Sequence, residues 1–282
     1  MPDWMTSVDL QMPAEKLMGV RILDAAPGFA SGVQTVPEAS VLSLGWFGVI
    51  ADALGGRPVA FSLPERESLS TVSLHLDLVR PPTDADRSVL AGEGRMLELG
   101  RSWGLSALTI TGAGSRALVV GTVRFLVYPM TGSSGRGQAE ETVAPVPAPL
   151  VEDGSLLGLL GMTVETAAHG RSRLTFTPAA RHSNPFPVVH GGLHTGLVDN
   201  AMTAALAGIE GGAGMTLLSL DLTYHRPIPV GEGAVSVTGE VLQHGRRSAL
   251  VEAAVLAPTG KALTTARGTF GLLGPEEPGD LP

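Results

Sequence analysis

The sequence predicts an α+β fold of two similar units, each a long helix wrapped by a curved antiparallel sheet. Three observations predict it. Blocks of sequence recur in one order at nearly one spacing, a turn-forming segment separates the two copies, and each copy holds a helix-like stretch that is apolar on most sides.

The repeat comes first, because missing it would mis-assign the whole fold. VSLHLDLVRPP (72–82) answers LSLDLTYHRPI (218–228), with Ser73 and Ser219 in register at an offset of 146. GRMLELGRS (94–102) answers GEVLQHGRR (239–247) at an offset of 145, and SRALVVGTVRF (115–125) answers GKALTTARGTF (260–270) at the same offset. Upstream, LSLGWFGVIAD (42–52) answers VHGGLHTGLVD (189–199) at 147. Four blocks in one order exceed what chance supplies. Between the copies, 131–150 is rich in Gly, Ser, Pro and Glu and poor in large apolar residues, which is linker chemistry. The expected division is therefore an N-terminal unit over 10–130, a linker over 131–150 and a C-terminal unit over 151–274.

Within the second unit, residues 162–167 and 172–178 read as a strand pair around His169-Gly170, followed by a turn-rich loop over 179–188. A helix opens at Gly191-Gly192 and runs through 193–208. Strands over 216–226, 234–244, 248–257 and 261–272 complete the unit. The helix lacks the single apolar stripe of a surface helix, so something must wrap it, and the antiparallel run that follows is the available wrapper. One helix wrapped by a long curved sheet is the hotdog arrangement. The first unit repeats it with a helix over Ala39–Leu54, giving a double hotdog.

Composition narrows the function classes. At 282 residues with 44% apolar and 16% charged residues, each unit can bury its own core. A net charge of −8 leaves no basic stripe to displace counterions from phosphates, which argues against nucleic-acid binding. With no cysteine there is neither a disulfide framework nor a thiol nucleophile. The first 17 residues lack a basic and then apolar leader, and no apolar run reaches a membrane span. A cytoplasmic protein with no membrane partner is expected. No His, Asp and Glu cluster has metal-ligand spacing, so neither a metal nor another cofactor is expected.

The candidate chemistry clusters around the second helix. Asp199 falls in its most apolar stretch, where a carboxylate must be hydrogen-bonded and its pKa is pushed up. Gly191-Gly192 at the helix start leave backbone N–H groups unshielded at the positive helix end, as an oxyanion site requires. They also suit a tight turn into the helix. His190 fits a structural loop role as well as that of a base, Asn184 is a turn former, and Ser219 fits a packing role on a strand.

Taken together, HSNPFPVVHGGLHTGLVDNAMTAAL (182–206) resembles the PaaI-like hotdog thioesterases, whose loop and helix run N…HGG…LxD with a Ser or Thr on the following strand. The resemblance covers about 155–274 and is weak over the first unit. It implies hydrolysis of an acyl-CoA thioester. It further implies that Asn184 and the Gly191 N–H polarise the thioester carbonyl, that Asp199 activates water or attacks directly, and that Ser219 orients that carboxylate. In the first unit, Asp52 and Ser73 answer Asp199 and Ser219, while Ser43 and Leu44 replace His190 and Gly191. Sites of this family form across two hotdogs, so the complete set is expected to join Asn184, His190 and Gly191 to Asp52 and Ser73. Arg226, Arg246 and Arg247, at strand ends, are candidates for the phosphates of coenzyme A, and solvated strand ends explain them too. Competing readings are a non-catalytic acyl-CoA binder and a hotdog enoyl-CoA hydratase. Either a monomer or a homodimer of double hotdogs is compatible with the sequence.

Overall fold

The computed structural model describes residues 11–88, 90–129 and 154–273; the linker expected over 131–150 lies outside them. The first half comprises α1 (Pro13–Leu17), β1 (Val20–Ala26), β2 (Phe29–Gln34), α2 (Leu44–Ala60), β3 (Glu67–Leu78), β4 (Leu90–Leu99), β5 (Trp103–Thr111) and β6 (Ala117–Pro129). The second repeats that order as α3 (Leu156–Leu160), β7 (Met162–Ala168), β8 (Arg171–Phe176), α4 (Leu193–Ala207), β9 (Thr216–Tyr224), β10 (Val235–His244), β11 (Ser248–Leu256) and β12 (Ala262–Gly271).

All twelve strands join one open sheet in the order β1-β2-β4-β5-β6-β3-β9-β12-β11-β10-β8-β7. The order is a palindrome under the repeat, and its centre is the antiparallel pairing of β3 with β9 from Ser73↔Thr223 to Asp77↔Ser219. Each long helix is enclosed by the strands of its own half. This is the double hotdog. Among the described residues, no helix is long and apolar enough to cross a membrane.

Close approach of helix to sheet is set by glycines at matching places. A Cβ on Gly94 would come 2.0 Å from the Leu54 carbonyl oxygen, and one on Gly239 would come 2.4 Å from that of Ala201. Bulges are matched as well. The β3–β6 register skips Val72 and the β12–β9 register skips Leu218, residues that answer each other in the repeat. A bulge re-aims the side chains on either side of it. Beyond these two, Leu74, Leu76, Leu220 and Leu222 point into the core, and Ser73, His75, Ser219 and Asp221 alternate onto the outer face.

The first helix differs from expectation. It starts at Leu44, five residues later than Ala39, because Ser43 is still extended (φ −132°, ψ 171°). It ends at Ala60, having continued through Gly55, Gly56 and Pro58. Tertiary packing outweighs propensity there. Gly55 lets Val123 approach, and Arg57 reaches Glu15 in a buried ion pair at 2.9 Å. The two helices cross at their N-terminal ends, where a Cβ on Gly48 would come 1.8 Å from Thr195 Oγ1.

Candidate active site

The helix crossing brings each half's aspartate to the other half's helix start. Asp52, on α2, receives the Gly192 N–H at 3.1 Å on Oδ2 and the Thr71 hydroxyl at 2.8 Å on Oδ1. His190 closes the third side, with Nδ1 3.3 Å from Asp52 Oδ2 and 3.1 Å from the Gly192 nitrogen. The carboxylate lies so close to Gly191 that a Cβ there would come 2.7 Å from Oδ2. Among the described residues the Gly191 N–H has no hydrogen-bond partner, while its carbonyl accepts from the His194 N–H and the Tyr224 hydroxyl. A free donor beside a fixed carboxylate, at the positive end of a fifteen-residue helix, is the geometry an acyl-transfer oxyanion needs.

Asp199, on α4, occupies the matching place against the first half and is wired differently. Its Oδ2 accepts from the Ser43 hydroxyl and from the Gly45 N–H at 3.0 Å, and its Oδ1 accepts from Thr203 at 3.3 Å. Burial raises its pKa, against the three hydrogen bonds that favour the charged form. Leu44, fully buried, stands where the second half has Gly191. Leu156 of α3 closes over the same spot, since a Cβ on Gly45 would come 2.8 Å from its Cδ2. This carboxylate has its donors, and the side chains of Leu44 and Leu156 crowd the place beside it.

The other expected residues fall as follows. Asn184 folds its Oδ1 back onto the Phe186 N–H at 2.8 Å, so the amide offers Nδ2 as its remaining donor. Neither Ser73 nor Ser219 faces Asp52 or Asp199: both lie on the outer face of the β3–β9 seam, Ser219 opposite Asp77 and Ser73 opposite Thr223. The hydroxyl on Asp52 is Thr71's, two residues earlier, because the Val72 bulge reverses which side chains point inward. Arg226, exposed, follows β9 at its Tyr224 end. Arg246 and Arg247 sit on the β10–β11 turn beside the other end of β9, a strand length or roughly 25 Å away, so the three do not converge on one phosphate. Of the three, Arg226 lies at the Asp52 end.

Residues not singled out from the sequence also line this place. Besides Thr71 there are His194, whose Nδ1 is 2.6 Å from Thr264 Oγ1, and Tyr224, whose ring centroid is 5.1 Å from that of His194. Burial and then the neighbouring His190 lower the His194 pKa to about 3, so its ring is neutral. The spacing of His190 to His194, one helical turn, was the available signal. Among the described residues, no three His, Asp or Glu side chains are grouped to hold a metal ion.

Comparison with known proteins bears on descent and on the fold. The family model described as the Thioesterase superfamily matches residues 186–264, a span holding the glycines and Asp199 but not Asp52. Acyl-coenzyme A thioesterase 13 of Homo sapiens is 33% identical over 109 residues, covering 38% of this chain and 77% of that protein, and its Pongo abelii counterpart matches equally. Among solved structures, the tesB protein of Mycobacterium avium subspecies paratuberculosis superposes with a TM-score of 0.63 at 16% identity, over 90% of this chain and 96% of that one. A Lactobacillus plantarum protein assigned as an oleoyl thioesterase superposes with a TM-score of 0.59 at 12% identity, over 88% and 98%. These two speak to the fold, which spans both halves, whereas the sequence match to thioesterase 13 speaks to descent: the chain belongs to the thioesterase superfamily.

Proposed function

We propose that this protein hydrolyses an acyl-CoA thioester at one site per chain, assembled from Asp52 and Thr71 of the first half and the Asn184–Gly192 segment of the second. The observation that carries the reading is the unpartnered Gly191 N–H beside the Asp52 carboxylate. In the reaction, the thioester carbonyl accepts from the Gly191 N–H and from Asn184 Nδ2. Asp52 takes a proton from an attacking water, or itself attacks the carbonyl carbon. The negative charge that develops on the carbonyl oxygen is held by those donors, each worth roughly 100- to 1,000-fold in rate. On the water route the C–S bond then breaks, the acid is released and the coenzyme A thiolate takes up the proton held by Asp52. On the direct route C–S cleavage leaves an acyl–Asp52 anhydride that water hydrolyses to the free acid and the Asp52 carboxylate, a proton from that water going to the thiolate. Arg226 stands where it can meet the coenzyme's phosphates. The division of the chain at 10–130 and 151–274 belongs to the same proposal, since the site needs both units.

A panel of short, medium, long and aromatic acyl-CoAs with a thiol-release readout tests the activity. Asp52→Asn is expected to lower kcat at least about 100-fold, in the range for losing a base or nucleophile. Asn184→Ala should cost a similar order, and Asp199→Asn should stay within about fivefold because its donors face a filled space. Loss of turnover in Asp199→Asn with normal turnover in Asp52→Asn would place the site on the wrong carboxylate. A second reading, hydration of an enoyl thioester, is favoured by the 3.3 Å approach of His190 to Asp52; water addition without thiol release in the same panel would select it.

A further inference from the structure

Tyr224 ends β9 and donates its hydroxyl to the Gly191 carbonyl at 3.0 Å. That carbonyl and the Gly192 N–H are the two ends of one planar peptide unit. The N–H end lies 3.1 Å from Asp52 Oδ2. The unit is therefore pinned from both sides, by a tyrosine at its oxygen and by the Asp52 carboxylate together with His190 Nδ1 at its nitrogen. Such pinning matters here because the torsions flanking this peptide belong to two glycines, the residues least restrained by their own sterics. The His194 N–H, 3.1 Å from the same carbonyl, occupies one lone pair, and Tyr224 takes the other.

The tyrosine is itself held in aim. Its ring lies against His194 at 5.1 Å between centroids and 49° between planes, and His194 is tied to Thr264 at 2.6 Å. Burial, and next the charge of Asp52, push the Tyr224 hydroxyl well above the ordinary tyrosine range, so it remains a donor throughout the working pH range.

We propose that Tyr224 is a positioning residue for this site: it holds the Gly191–Gly192 peptide so that the Gly192 N–H stays on Asp52 and the Gly191 N–H stays open to the substrate carbonyl. It acts through the backbone and touches neither the thioester nor the attacking water. The inference rests on the function proposed above, and one of its tests does not.

Tyr224→Phe keeps the ring and removes only the hydroxyl. The expected result is a kcat lowered about tenfold, the size of one lost hydrogen bond at roughly 1.4 kcal/mol per decade, with KM within about twofold. Independently of activity, hydrogen exchange at the Gly192 amide should quicken at least about tenfold. Thr264→Val, which frees His194 and slackens the ring, should shift exchange the same way by less. Unchanged Gly192 exchange in a folded Tyr224→Phe protein overturns the proposal, as does a drop in melting temperature with kcat and Gly192 exchange both unmoved, which would mark mere packing. If the unaltered protein releases no thiol from any acyl-CoA, the function fails instead, and the exchange measurement still decides the clamp.

Discussion

A methyl group at Gly191 is the smallest perturbation that separates the two aspartates. In Gly191→Ala, the new carbon would come 2.7 Å from Asp52 Oδ2 and 3.3 Å from Asp52 Cγ. The carboxylate must swing away, and it then gives up the Gly192 N–H at 3.1 Å or the Thr71 hydroxyl at 2.8 Å. A hydrogen bond to a charged group contributes about 1.5–3 kcal/mol, and each 1.36 kcal/mol is about tenfold in rate, so one lost bond corresponds to roughly 10- to 150-fold. With the methyl also crowding the carbonyl site, we predict that kcat/KM falls by about 100- to 1,000-fold while the melting temperature moves by only a few degrees. The comparison variant is Gly45→Ala, at the position answering Gly192, whose methyl would come 2.6 Å from Asp199 Oδ2 and 2.8 Å from Leu156 Cδ2. That is overpacking of a closed core, costing about 1–3 kcal/mol, or about 2–10 °C in melting temperature for a chain of this size, with kcat retained within about fivefold. Thiol release and calorimetry on both variants decide the matter. A Gly45→Ala protein that melts normally but has lost turnover, or a Gly191→Ala protein at full rate, would refute the assignment.

Two further expectations concern the carboxylate's neighbour and the buried imidazoles. Thr71→Val, which keeps the shape and removes the 2.8 Å hydroxyl donor to Asp52, should lower kcat by about 10- to 100-fold, whereas Ser73→Ala should stay within about twofold in the same thiol-release assay. His182 and His194 each have a pKa lowered to about 3, burial being the larger cause in both. Both are neutral in the fold and take up a proton below about pH 6.5 once unfolded, so they withdraw stability as pH falls from 6.5 towards 3, about 2 kcal/mol each at pH 5. Denaturant melts at pH 7.5 and pH 5 should show a smaller loss on acidification in His194→Gln than in the unaltered chain, and an equal loss in both would contradict the sign.

The symmetry of the molecule was legible because the repeat spacing is a register. The offsets of 145–147 pair Gly94 with Gly239 against their helices, Asp52 with Asp199 at the crossing, and β3 with β9 at the seam. The meeting of Asp52 with the helix start of the opposite half could be expected because Ser43 and Leu44 stand where the second half has His190 and Gly191. What could not be read is whatever depends on one residue of slip. The Val72 bulge turns Ser73 outward and Thr71 inward, and nothing in Leu-Ser-Thr-Val-Ser marks it. The start of α2 was misplaced because Ala39–Val41 carry helix-compatible side chains, while tertiary contacts keep the chain extended through Ser43. Tyr224 and the separation of Arg246 and Arg247 from Arg226 depend on how far one strand runs past the helix ends, a length visible only once the strands are laid side by side.

The pairing of Gly191 with Leu44 has a meaning beyond catalysis. Two identical subunits related by a true two-fold axis receive every substitution twice, so a leucine that fills one crevice fills the other as well. Joining the units in one chain removes that obligation. One half has a glycine at this place, and the other has the buried Leu44 with α3 packed near it. The two aspartates can then differ in what stands beside them, a bare glycine at Asp52 and leucine side chains at Asp199.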